Sequence, residues 1–216
     1  MKINLKRELP SIIMVLLPLI YLIIVWNDLG DLVPIHWNIE GEVDRYGSKY
    51  FLLFVSFLMP FSVYITFALV ERFGPKEKIA KMGRKFGSLK FILTLFMSTL
   101  ALFIIHSAKT GSIKEPTLVF VLLGLMLAAI GNYFKTMQTN YFIGIRTPWT
   151  LKYESVWKST HEMGGKMWFG GGLLIALIAA ISVQFWAIIS IFIVIGFITI
   201  VPIVYSYFAA KKLKNQ

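Results

Sequence analysis

Met167-WFGGGLLIALIAAISVQFWAIISIFIVIGFITIVPIVYSYFA-Ala210 runs for 44 residues without a charge. As one helix it would reach about 65 Å, twice a bilayer core of about 30 Å. It therefore has to fold back, around Gln184, into a span near 167–183 and another near 186–210. Working backwards, four earlier runs have spanning length: Leu9–Trp26, Tyr50–Val70, Phe86–Ile105 and Thr117–Phe134. The chain is 57% hydrophobic and 15% charged, with mean hydropathy +0.71, which excludes an ordinary soluble domain. The expected fold is all-α: a polytopic membrane protein with six transmembrane helices.

Six spans put both termini on one side, and the basic residues choose it. The N-terminus, the 71–90 segment, the 135–166 segment and the tail hold 18 of the 22 Lys and Arg; the other side has only Arg45, Lys49, Lys109 and Lys114. The positive-inside rule makes both termini cytoplasmic. Five spans would strand Lys211, Lys212 and Lys214 outside. The outer face carries net −2 and the inner face +13, so an outer partner is cationic or apolar rather than anionic. No small-residue cleavage site follows the basic N-terminus, so the first run is a retained span. The absence of cysteine excludes disulfides and thiolate metal sites. The basic 71–90 segment serves as a topology signal and contacts anionic lipid, or else docks a cytoplasmic protein. No nucleic-acid-binding fold accompanies it, and direct nucleic-acid binding is not expected. Lys90, near one end of span three, is expected to snorkel to the interface.

The outer loop, 27–49, reads NDLGDLVPIHWNIEGEVDRYGSK. Gly30, Pro34, Gly41 and Gly47 favour turns, and Val33–Asn38 alternates like extended chain. His36, Asn38, Asp44 and Lys49 form a candidate ligand-binding group, with His36 and Asp44 as an acid–base or metal pair. His106 is a candidate third member. Two ligand-type residues are not a metal site, so no metal is expected, and the plainer alternative is a cap whose polar groups bond one another. The pattern Pro34-Ile35-His36-Trp37-Asn38-x-x-Gly41-x-x-Asp44-x-x-Gly47-x-Lys49 resembles the membrane domain of unknown function DUF1648.

In the inner loop, 135–166, Thr147-Pro148 reads as a helix start: Thr caps and Pro suits the first helical position. An interfacial helix over about 148–163 is expected, with Trp149, Val156 and Trp157 on its apolar side and Lys152, Glu154 and Lys158 on its polar side. Gly164-Gly165 would end it. Seven-residue spacing puts Glu154 and His161 on one face. Trp149 and Trp157 are expected as interface anchors, and Asn132 as a bond between helices within the membrane. Arg146 satisfies helix-end carbonyls, with Glu154 or Glu162 beside it, or binds a partner. His161 makes a packing hydrogen bond. His161-Glu162 lacks the second His of a zinc-protease motif, and no nucleophile–base set is visible. Neither enzymatic activity nor a cofactor is expected.

Gly131-Asn132, Asn140, Gly144-Ile145-Arg146-Thr147-Pro148-Trp149-Thr150-Leu151, Val156-Trp157 and Thr160-His161 closely resemble the signature of the SdpI family. The resemblance implies two domains, a DUF1648-like one at 8–71 and an SdpI-like one at 86–210. It implies a multi-pass protein of the bacterial cytoplasmic membrane that protects its host against a secreted killing peptide. It also implies a signalling role, in which a small repressor protein is held at the membrane from inside. Asn132, Asn140, Arg146, Trp149, Glu154, Trp157 and His161 become the partner-binding or structural set of the inner loop. Membrane lipids are partners in any case. The alternative is a small-molecule or ion transporter or channel, for which six spans and Asn132 speak. Against it, no span carries a charge at mid-depth, where ion pathways usually show one.

Overall fold

A computed structural model describes residues 5–38, 42–112, 117–181 and 184–214, without the side chains of 184–187. Gly41 and residues 182–183, next to the expected fold-back at Gln184, lie outside the described residues. The elements are helix α1 (Leu5–Val25) with a 3-10 turn (Trp26–Asp28), strands β1 (Leu32–Trp37) and β2 (Val43–Ser48), and helices α2 (Phe51–Phe73), α3 (Lys76–Met82), α4 (Arg84–Thr110), α5 (Thr117–Phe134), α6 (Pro148–Lys152), α7 (Glu154–Ile181) and α8 (Gln184–Lys214). Six of these helices are long and apolar enough to cross a membrane: α1, α2, α4, α5, α7 and α8. The expected six-span, all-α architecture is the one found. α8 begins at Gln184, where the charge-free run was expected to turn. The chain forms two compact units, 1–68 with 90–119 and 69–89 with 120–216.

In the first unit, α1 and α4 run parallel and are joined at both ends by ion pairs. Lys109 Nζ lies 2.7 Å from Asp28 Oδ2, and Lys90 Nζ lies 2.7 Å from both Glu8 carboxylate oxygens. Glu8 to Asp28 is 20 residues and Lys90 to Lys109 is 19, about 30 Å of helix, which is one hydrocarbon thickness. The two pairs thus bracket the apolar length of both helices, and the core of Leu22, Val25, Leu29, Val33, Leu52 and Ile105 gathers around the Asp28–Lys109 end. Lys90 does not snorkel. It is 4% exposed, with Tyr64 also 5.3 Å from its ammonium. A carboxylate on the neighbouring helix compensates the charge without stretching the side chain out to water. Glu8→Gln removes that compensation. It is expected to cost about 2 kcal/mol, below the usual cost of breaking a buried pair, because Glu8 sits in the first turn of α1 near water. The double exchange Glu8→Lys/Lys90→Glu is expected to recover most of the loss in thermal melts. A single variant as stable as the wild type would exclude a structural role for the pair.

In the second unit, α5 and α7 pack antiparallel through glycine. A Cβ on Gly124 would stand 2.6 Å from the Gly172 carbonyl oxygen, and one on Gly172 would stand 2.5 Å from that of Gly124. Gly131 and Gly165 are related in the same way, each 2.8 Å from the other's carbonyl oxygen. The pairs lie seven residues apart on both helices, so they form one seam two turns long. Small residues let helix backbones approach where lipid supplies no hydrophobic drive, and this seam follows that rule. α8 packs beside α7 around Ile175, Ala179, Ile191 and Ile198. Pro202 leaves the Ile198 carbonyl without its helical donor, and the Trp168 indole Nε1–H fills that place at 2.9 Å.

Two expectations for 148–165 fail. The helix breaks at Tyr153, whose backbone is extended at φ −118°, ψ 114°, and α7 then continues as one helix into the spanning segment. The break lets α6 bond α8 while α7 turns its own side chains elsewhere; a straight helix over 148–163 would present Trp149 and Val156 on a single face. Gly164 and Gly165 do not end a helix. Gly165 is half of the seam, and a Cβ on Gly164 would meet Ile145 at 2.8 Å.

Candidate functional site

Two polar constructions stand out, one in each unit. In the first unit β1 and β2 form an antiparallel hairpin with Leu32 opposite Ser48 and Trp37 opposite Val43. Proline at 34 is tolerated because a two-stranded ribbon has only edge strands. The register slips around His36, as bulges do when they re-aim side chains. His36 Nδ1–H then donates to Asp44 Oδ1 at 2.6 Å, with both groups largely exposed. The carboxylate fixes the tautomer and leaves Nε2 directed away from Asp44. The rest of the expected outer group does not join them. Asn38 braces the hairpin turn: its Oδ1 accepts the Glu42 N–H at 2.8 Å, and its Nδ2 reaches Glu42 Oε2 at 3.3 Å. Lys49 closes the hairpin base, 3.3 Å from Asp31 and 5.2 Å from the Trp26 ring. His106 shares a 3.1 Å hydrogen bond with the Tyr21 hydroxyl and is no third member of the pair. Among the described residues, no group of three His, Cys, Asp or Glu is placed to hold a metal ion.

In the second unit the centre is His161, 1% exposed. Its Nε2 accepts the Ile145 N–H at 2.9 Å, and its Nδ1–H donates to the Trp157 carbonyl at 2.9 Å. Accepting at Nε2 requires the neutral ring with its proton on Nδ1, since imidazolium has two donors and no acceptor. The Trp157 indole stacks on the imidazole, centroids 4.0 Å apart, and its Nε1–H donates to the Met137 carbonyl at 2.8 Å. Gly144 lies against both rings. Its φ of +113° and the clash of any Cβ with His161 Nε2 and the Trp157 ring make every residue but glycine costly here. Asn140 organises the loop before it: Oδ1 accepts the N–H groups of Phe142 and Ile143, both at 2.8 Å, and Nδ2 donates to the carbonyls of Gln138 and Ile143. Thr147 and Thr150 cap α6 reciprocally, as the Thr-Pro start predicts, and Thr150 also ties back to the Ile145 carbonyl at 2.9 Å.

The expected inner set therefore divides. Asn140 and His161, with Trp157, lock the 137–145 loop onto α7. Trp149 donates its indole N–H to Ser206 and packs edge-on against Tyr207, which binds α6 to α8. Neither tryptophan is a simple interface anchor, because each indole N–H has a protein acceptor. Arg146 is exposed and donates to the Tyr141 carbonyl; among the described residues neither Glu154 nor Glu162 pairs with it. Glu154 is exposed in the first turn of α7 and is not brought to the buried His161. Asn132 is exposed on α5, and its neighbour Gly131 makes the helix contact instead. Sequence reasoning missed the seam of Gly124, Gly131, Gly165 and Gly172. The small residues at 124, 128 and 131 were the available signal. It also missed the Glu8–Lys90 pair, for which an acid and a base near the same end of parallel spans were the clue.

Residues 136–206 match the SdpI/YfhL protein family, and residues 13–60 match the domain of unknown function DUF1648. The chain is 27% identical over 212 residues to the protein named Immunity protein SdpI of Bacillus subtilis strain 168, covering 98% of this chain and 99% of that protein. No solved structure matches.

Proposed function

We propose an immunity function for this six-helix membrane protein, whose residues 13–60 match DUF1648 and 136–206 match the SdpI/YfhL protein family: protection of the host cell against a secreted antimicrobial peptide. The observation that carries this reading is similarity to an immunity protein over nearly the whole length of both chains. The charge distribution supports an orientation with both termini and the 135–153 loop in the cytoplasm and the β1–β2 hairpin outside. On that orientation the exposed His36–Asp44 pair is the first contact for the peptide, and the exposed Arg146 at the loop held by His161 is the contact for a small cytoplasmic repressor. Coupling between the two requires two states of the protein with different affinities for peptide and repressor.

Expression in a strain sensitive to the related peptide tests the proposal. The wild-type chain is expected to raise survival by at least roughly tenfold, and His36→Ala/Asp44→Ala to lose most of that gain at equal membrane abundance, as expected when a directly contacted polar pair is removed. Unchanged killing with the wild-type chain in the membrane would refute the immunity reading. Full protection by the double variant would remove the hairpin pair from it.

A further inference from the structure

One face of the second unit brings basic and apolar groups together at a membrane boundary. Only Gly74 and Pro75 separate α3 from the end of α2, and only Gly83 separates it from α4. Links this short to two helices of spanning length hold α3 at the edge of the hydrocarbon. Its sequence is amphipathic: Met82 is buried, whereas Lys76, Lys78 and Lys81 are exposed. Ile79, Met82 and Phe86 form a shallow groove with Phe142 and Ile143, and Lys78 lines it. Close by in the chain, Phe73 and Tyr141 expose their rings at 70% and 73%. Residues 71–85 hold six basic side chains against two acidic ones.

We propose that this face is a docking site for an anionic phospholipid. The phosphate lies on Lys78 and Lys81, one turn apart on α3, and an acyl chain lies along the accessible Ile79 and Phe142. Positive charge alone suits any anion. The apolar groove with aromatic rings at a membrane boundary selects an anion that carries a hydrocarbon tail. The proposal does not depend on the immunity function.

Native mass spectrometry of the purified full-length protein tests it, with phosphatidylglycerol and phosphatidylcholine of identical acyl chains as probes. The wild type is expected to retain phosphatidylglycerol at roughly tenfold lower concentration, since each basic residue near an anionic surface is worth about fivefold. Lys78→Gln/Lys81→Gln is expected to abolish that preference while melting like the wild type, and Lys78→Arg/Lys81→Arg to keep it. Phe142→Ser is expected to weaken both lipids alike. Equal retention of the two lipids by the wild type, or a preference that survives the double Gln variant, overturns the proposal. Binding of polyglutamate that depends on Lys78 and Lys81, without a phosphatidylglycerol preference, would overturn it too and assign the face to an acidic protein.

Discussion

Gly172→Leu is expected to prevent accumulation of a well-folded protein, whereas Gly170→Leu, two residues away, is expected to be almost silent. At Gly172 the first side-chain carbon already meets the backbone of α5, at the Gly124 carbonyl oxygen and the Ala128 nitrogen. Backbone atoms cannot rotate away, so the helices must separate, and separation opens the matching contact at Gly131 and Gly165. The cost is at least about 4 kcal/mol, beyond ordinary overpacking of about 1–3 kcal/mol by flexible side chains. Gly172→Ala brings the same collision in its smallest form and is expected at about 2 kcal/mol. A Cβ at Gly170 meets nothing within 4 Å. The yield of folded, detergent-purified protein, together with thermal melts read by tryptophan fluorescence of whatever accumulates, separates the three. If Gly172→Leu and Gly170→Leu melt alike, the seam does not hold α5 to α7.

His161→Ala and Gly144→Ala are each expected to lower stability by about 2–3 kcal/mol, and to do so non-additively. Removing the imidazole leaves the Ile145 N–H without its acceptor, at about 1–3 kcal/mol for a buried donor, and strips the stacked ring from Trp157. Gly144→Ala forces an L side chain to φ +113°, a strain of about 1–3 kcal/mol, and drives its Cβ into His161 Nε2. In the double variant the imidazole that the added methyl group would strike has gone, so only the strain and the lost bond remain. The sum of the singles is therefore expected to exceed the double by about 1 kcal/mol. A double-mutant cycle on melting checks this. Strict additivity would mean that the two residues do not share one site.

Much of the fold follows from the sequence by a one-dimensional criterion. A span must be about 20 apolar residues long whatever its neighbours are, so counting along the chain gives six spans and places the last turn near Gln184. Thr147-Pro148 is legible for the same kind of reason: a cap is a local hydrogen-bond arrangement fixed by adjacent residues. The His36–Asp44 pair was also within reach, because a hairpin between them is closed by a short loop.

The remainder depends on what lies across from each residue, and local pattern carries no such information. Tyr153 reads as mid-helix until α6 has Ser206 to bond and α7 has Met137. Gly164-Gly165 reads as a helix stop until α5 approaches closely enough to need a residue without a side chain. Lys90 reads as a snorkelling end residue until Glu8, 82 positions earlier, stands beside it. His161 and Glu154 share a face by spacing, yet burial by the 137–145 loop separates one from water and leaves the other in it. By itself the sequence determined which segments enter the bilayer, because transfer to hydrocarbon is a property of each segment. The tertiary structure alone decided which polar and small residues hold those segments together, because that depends on partners distant along the chain.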